Sequence, residues 1–256
     1  MTITVMGPHA LAAEMGRRFT GQVAVVTGAT GGIGAAIALA LADEGAAVCL
    51  VGRHAQRLEA IGGQARRNGR RAVELAVDLL QDAEITALRA RVERDCGQVD
   101  ILVHAAGICL PGSVADAGVE DFDAQYRLNL RAPYVLTRAL LPMLRARRGQ
   151  IVFINSSVGL ATRGGISQYA ATKHGLHALA DCLRDEVNPD GVRVLSVFPG
   201  RTATPGQAAL HALEGKAYQP DRLLQPEDVA SAVIGALALE RTAEVTNVMI
   251  RPMQKS

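Results

Sequence analysis

Six short apolar runs recur along the chain, QVAVVT, AAVCLVG, AVELAV, VDILVHA, QIVFINS and VRVLSVF, and most are apolar at consecutive positions. A strand with one wet face alternates polar and apolar residues, so these runs predict parallel strands covered on both sides. Between them lie segments with helical spacing of apolar residues: Ile33 to Glu44, Gln56 to Asn68, Ala83 to Cys96, Phe122 to Arg147 and Tyr169 to Val187. A last piece, Pro226 to Glu240 and then Val245 to Ile250, adds one helix and one strand. Strand followed by helix, repeated without a linker or low-complexity tract, predicts a doubly wound α/β fold in a single domain.

Composition narrows the partners. With 256 residues, 49% hydrophobic and 20% charged, the chain can bury one large core. Its net charge is +2 and its arginines are scattered among acids, so no basic stripe predicts a nucleic-acid or membrane partner. Val23 to Ala42 is apolar enough to imitate a membrane span, but Gly28, Gly31, Gly32 and Gly34 interrupt it and Asp43 and Glu44 follow. A strand, a glycine turn and a buried helix fit better. Residues 1 to 18 lack the features of a signal peptide and read as a flexible N-terminal extension ahead of a domain at 19–256. Cys49, Cys96, Cys109 and Cys182 show neither CxxC nor zinc-like spacing, which predicts reduced thiols, no metal site and a cytoplasmic location.

Open parallel sheets bind ligands beyond the carboxyl ends of their strands. The first strand ends in TGATGGIG, residues 27–34. Glycines at 28, 32 and 34 let backbone N–H groups and the positive end of the next helix approach a pyrophosphate, with Thr30 and Ile33 in the same turn. The alternative is a tight turn that merely packs helix on strand. A Walker loop is excluded, because Ile33 stands where its second glycine belongs and no lysine follows. The second strand ends at Gly52-Arg53, where an NAD-binding site places a carboxylate for the ribose 2′-hydroxyl. Arg53 instead offers a fork for a 2′-phosphate, with His54 and Arg57 nearby, so NADP(H) is favoured over NAD(H). Asp78, closing the third strand, either accepts from an adenine amino group or caps the next helix.

The chain has only three lysines among 27 basic residues, and one of them, Lys173, lies four residues after Tyr169 at the start of a helical pattern. Both side chains then share a face, and a compact ammonium can acidify a phenol while its stem reaches a ribose hydroxyl. The fifth strand ends at Ser156-Ser157, where a hydroxyl can orient a carbonyl or alcohol oxygen toward Tyr169. The G-x-S-x-G elbow of acyl hydrolases is absent. Asn129 lies in a helical pattern four residues before Pro133, which has no N–H for the Asn129 carbonyl. That predicts a kink, a bound water and a proton path from Lys173 to Asn129. After the sixth strand, Phe198-Pro199-Gly200 brings backbone toward a nicotinamide and Thr204 is placed to hold its carboxamide or the pyrophosphate. The segment 201–224 reads as a lid, and with Leu110, Pro111 and Leu160 it predicts a partly apolar cavity.

Taken together, TGATGGIG (27–34), Asp78, HAAG (104–107), Asn129, SSVG (156–159), YAATK (169–173) and FPG (198–200) resemble the short-chain dehydrogenase/reductase family, from about Phe19 to Pro252. The resemblance implies a seven-stranded parallel Rossmann sheet and a catalytic set of Asn129, Ser156, Tyr169 and Lys173, with Ser156 preferred over Ser157 by its spacing of thirteen from Tyr169. It further implies a cofactor site that includes Ala105, Gly107, Pro199, Gly200 and Thr204. The expected reaction is hydride exchange between NADP(H) and a small-molecule carbonyl or alcohol, by a homodimer or homotetramer joined through the helices carrying Asn129 and Tyr169. A non-catalytic NADP(H)-binding sensor is the alternative. Two departures stand out: His104 replaces the first Asn of the usual Asn-Asn-Ala-Gly, and the end, EVTNVMIRPMQ, lacks the usual Asp-Gly-Gly.

Overall fold

In the computed structural model, which describes residues 17–67 and 69–254, all seven strands are parallel and pair in the order β3-β2-β1-β4-β5-β6-β7. They are β1 (Val23–Thr27), β2 (Ala47–Gly52), β3 (Ala72–Ala76), β4 (Ile101–His104), β5 (Gln150–Ile154), β6 (Arg193–Pro199) and β7 (Asn247–Ile250). The expected doubly wound architecture is the one found. Successive side chains on a strand point to opposite faces, so a run with no polar alternation feeds two cores. In β1, Ala24 and Val26 enter one cluster and Val25 the other.

Helices α1 (Gly32–Asp43), α2 (Ala55–Arg67) and α8 (Pro226–Leu237) cover the first face. Helices α3 (Asp82–Cys96), α5 (Ala132–Ala146) and α6 (Ser167–Val187) cover the second. The remaining helices are α4 (Val119–Tyr126) and α7 (Pro205–Leu213). The helix expected over Phe122 to Arg147 is broken by a π-helical turn, Arg127–Arg131. Its cause is Pro133: without an N–H it leaves the Asn129 carbonyl short of its α-type partner, and the chain widens by one residue per turn. Accordingly the Ala132 N–H bonds the Arg127 carbonyl five residues back. Among the described residues no helix is long and apolar enough to cross a membrane.

The proposed N-terminal extension, 1–18, falls almost wholly outside the described residues. Arg18 is described and is tied to the domain, its Nε donating to Glu44 at 3.0 Å. All four cysteines are free thiols, and those of Cys49 in β2 and Cys96 at the end of α3 are hydrogen bonded to each other.

His104 ends β4 in full burial, stacked on Phe153 at 4.9 Å, with Nε2 2.8 Å from the Thr137 hydroxyl. It thus spends its polar group on α5. Burial lowers its pKa to about 3. Between about pH 6.5 and about pH 3 the unfolded chain therefore binds a proton the folded one refuses, and stability falls as pH is lowered, by up to about 1.4 kcal/mol per pH unit. From about pH 7 to about pH 5 the wild type should lose about 2 kcal/mol more than His104→Asn. Urea midpoints at the two pH values measure this, and equal losses would refute it.

Candidate active site

Strand order reverses at β1, so the loops after β1 and β4 diverge to opposite faces and open a crevice between them. The glycines let the two loops touch. Gly28 has φ +68°, and a Cβ there would lie 2.7 Å from the Ala106 nitrogen; one on Gly34 would overlap the Gly28 carbonyl. Thr27 fastens the pair from below, its Oγ1 accepting from Ala105 N at 3.1 Å and Ala106 N at 3.3 Å while donating to the Val103 carbonyl at 3.2 Å. Gly32, φ +55°, faces Thr204, whose Cγ2 would stand 3.0 Å from an added Cβ. Helix α1 then starts with no acidic residue in its first turn, so nothing on the helix itself offsets its positive end. This cradle, which side chains would fill, fits the phosphates of a dinucleotide.

The other expected cofactor residues lie at or just beyond the carboxyl ends of β2, β3 and β6. Gly52 lies under Thr30, since a Cβ on it would meet the Thr30 methyl at 2.7 Å, and Arg53 follows, exposed, at the end of β2. Asp78 Oδ1 accepts from Leu80 N at 3.1 Å, and the Asp78 N–H donates to Glu84 at 2.7 Å. It therefore shapes the turn into α3, whatever else it binds. Pro199 ends β6, and Gly200 N donates to the Ile250 carbonyl at 2.8 Å. Segment 201–224 leaves and returns at one point: Ala203 N donates to Leu224 O at 2.7 Å and Leu224 N to Arg201 O at 3.1 Å. Thr204 caps α7 within it, accepting from Gln207 N at 3.1 Å.

Beyond the crevice lie Ser156, Tyr169 and Lys173, with Asn129 on the other side of Gly107. Tyr169 is half-buried in the first turn of α6 and hydrogen bonds the Ser156 side chain. Lys173, one turn on, is buried, with Nζ 3.0 Å from the Ile154 carbonyl and 5.8 Å from the Tyr169 ring centre. Asn129 is also fully buried: Oδ1 accepts from Ile108 N at 2.9 Å, and Nδ2 donates to Ile108 O at 2.8 Å and Thr172 Oγ1 at 3.2 Å. Gly107 lies between, since a Cβ there would stand 3.2 Å from Asn129 Oδ1 and 3.7 Å from Lys173 Nζ. The Asn129 side chain thus clamps the loop after β4.

The electrostatics differ from the simple picture of an ammonium acidifying a phenol. Burial pushes the Tyr169 hydroxyl well above its ordinary value, the Cys109 thiolate would push it further, and only the Ser156 hydrogen bond opposes them. Burial also lowers the Lys173 ammonium to about 8. In the protein alone the phenol is an acid that keeps its proton.

One contributor escaped the motif reading. Asn155 looks like a flank of Ser156, yet its Nδ2 donates to the Lys173 carbonyl at 3.0 Å and its Oδ1 accepts from Ser156 N at 2.8 Å. It joins the end of β5 to α6 and so sets Ser156 against Tyr169. Only Gly159, whose Cβ would overlap Asn155 Oδ1, hints at this packing.

Residues 22–214 match the short chain dehydrogenase family. The chain belongs to that family. An uncharacterized oxidoreductase of Staphylococcus saprophyticus is 35% identical over 91% of this chain and 97% of its own length. Among solved structures, an alcohol dehydrogenase from the archaeon Thermococcus sibiricus, complexed with 5-hydroxy-NADP, is similar with a TM-score of 0.84 and 29% identity, covering 92% of this chain and 98% of that one. A short chain dehydrogenase from Burkholderia cenocepacia in complex with NADP has a TM-score of 0.81 and 32% identity, over 91% and 97% of the two chains. As a short-chain dehydrogenase, the protein is an oxidoreductase.

Proposed function

We propose that this short-chain dehydrogenase exchanges a hydride between NADP(H) and a carbonyl/alcohol pair. The observation that carries the reading is the Tyr169–Ser156 hydrogen bond at the carboxyl edge of the sheet, with Lys173 buried one turn behind it. The bound nicotinamide supplies or takes the hydride. Gly28, Thr30, Gly32, Ile33 and Gly34 hold the pyrophosphate at the start of α1, and Arg53 holds the 2′-phosphate. NADP in the solved relatives' complexes supports this preference. Asp78 faces the adenine, while Ala105, Gly107, Pro199, Gly200 and Thr204 line the rest of the cofactor groove.

In reduction, Ser156 donates to the substrate oxygen and places it against Tyr169, which gives that oxygen its proton. A phenol held above its usual pKa suits the task, being protonated throughout the neutral range. Lys173 holds a ribose hydroxyl and stands ready to return the proton, and Asn129 keeps the water route open beside Gly107. Segment 201–224 serves as the lid. Exposed Phe122 and Tyr126 on α4 and Tyr134 on α5, which flank Asn129, support a homo-oligomer formed through the helices carrying Asn129 and Tyr169.

The test is NADPH oxidation against a panel of ketones, aldehydes and quinones. Turnover with some member is expected; tight NADPH binding with silence across the panel would indicate a sensor instead. A second expectation concerns pH. Burial lowers the Lys173 ammonium to about 8, so with the ammonium on the donor side reduction should decline above about pH 8. A flat rate from about pH 7 to about pH 10 would contradict a role for the ammonium.

A further inference from the structure

The substrate side of the cleft carries a charge cluster that the reaction above does not use. Arg163 stands on the loop between β5 and α6, Arg201 just after β6, and Glu214 and Lys216 just past α7. Three bases converge on one carboxylate: Glu214 Oε1 accepts from Arg163 at 3.0 Å, and Oε2 from Arg201 at 2.8 Å and Lys216 at 2.9 Å. Burial pushes the Glu214 carboxyl up, but hydrogen bonds from Lys216, Arg163 and Arg201 outweigh it and hold it at about 2. It is ionised at any working pH, so three positive charges face one negative.

His211 packs against Arg201 from within α7. Arg201 Nη1 is 3.3 Å from His211 Nε2, and a guanidinium only donates, so that nitrogen accepts. Nδ1 lies 2.8 Å from the Gln207 carbonyl and 3.1 Å from the Gln207 side-chain nitrogen, so the buried ring is held on α7 against Arg201.

The surplus of two positive charges lies at the carboxyl edge of the sheet, on the segments that follow β5 and β6. The Cys109 thiol, on the loop after β4, feels Arg163, Lys173 and Glu214, and is itself close enough to act on Tyr169. The Arg163–Glu214 pair spans from the β5–α6 loop to the middle of the lid segment, just past α7. A brace between those walls requires one base. Two further cations on the same carboxylate add mutual repulsion, which an incoming anion relieves.

Resting on the oxidoreductase reading above, we propose that Arg163, Arg201 and Lys216 form an anion-binding wall of the substrate cleft, which selects carbonyl and alcohol substrates that carry a carboxylate. Glu214 engages the three donors in the structure, and the substrate carboxylate shares or takes over those donors. Planar guanidinium groups match a carboxylate in two-point contact. The cavity expected from Leu110, Pro111 and Leu160 is therefore apolar on one side only.

The experiment compares short-chain oxo acids with their matched amides as substrates of the full-length, NADPH-loaded protein. The acids should show kcat/KM higher by about ten-fold or more, mostly through KM, and Arg163→Gln should reduce that advantage to about two-fold or less. Glu214→Gln, which removes the internal competitor, should lower KM for the acids. As a readout apart from turnover, the saturated carboxylates should raise the thermal midpoint of the NADPH-loaded wild type while their amides do not, and Arg163→Gln should lose the effect. Equal turnover and equal protection by acids and amides overturn the anion wall and leave the oxidoreductase reading standing. Protection by carboxylates without NADPH oxidation by any carbonyl does the reverse. Silence in both measurements overturns both.

Discussion

Tyr169→Phe should cut turnover by about 10²-fold or more while the Kd for NADPH stays within about two-fold of the wild type. The substitution removes one oxygen and keeps the ring, so its consequences can be traced atom by atom. The half-buried ring continues to pack in the first turn of α6, and Lys173 keeps its bond to the Ile154 carbonyl. What disappears is the hydroxyl that hydrogen bonds Ser156 and, in the proposed mechanism, protonates the substrate oxygen. Losing one such hydrogen bond costs the fold only about 1 kcal/mol, so the variant should remain folded. The loss should fall on kcat rather than KM, because the proton moves only in the transition state. Single-turnover rates with saturating NADPH measure this, and a rate near that of the wild type would remove Tyr169 from the chemistry.

Arg53→Ala should weaken NADPH by about 10- to 100-fold and leave NADH nearly unchanged, so the preference between them collapses. Arg53 is exposed at the end of β2, directly after Gly52, which packs under Thr30 of the glycine turn. Among the described residues no hydrogen bond or ion pair uses its guanidinium, so the substitution leaves the fold intact. A phosphate contributes charge-assisted hydrogen bonds that the 2′-hydroxyl of NADH does not, which is why the change is confined to one cofactor. Titration of both cofactors by fluorescence gives the ratio, and an unchanged ratio would assign the 2′-phosphate to other residues.

The glycine turn was legible because its chemistry is local. Gly28 and Gly32 are demanded by positive φ and Gly34 by the Gly28 carbonyl, all within eight residues, and Tyr169 and Lys173 share one turn of helix; that Gly28 and Gly32 also face Ala106 and Thr204 was not legible. Asn129 was legible in part. The missing N–H of Pro133 pointed to a disturbance there, but the π-helical form, and the clamp of the Asn129 amide on Ile108, depend on a loop twenty-one residues away. Asn155 was not legible, because its partner is the Lys173 carbonyl, eighteen residues on, and Gly159 alone marks that contact in the chain near it. The departure at His104 could be seen, but not its consequence, since Thr137 and Phe153 reach it only through α5 and β5.

By itself the sequence determined the doubly wound parallel sheet, because two-sided burial forces uninterrupted apolar runs and helices must follow each strand to supply that burial. It likewise determined which strand ends carry polar chemistry. Only the tertiary structure decided the charge state of the site, where desolvation rather than the neighbouring lysine governs the Tyr169 phenol. Only it, too, gathered Arg163, Arg201, Glu214 and Lys216 from segments up to fifty-three residues apart in the chain. Periodicity reports which way a residue faces along its own element, whereas electrostatics depends on distances between elements, and those exist only once the chain has packed.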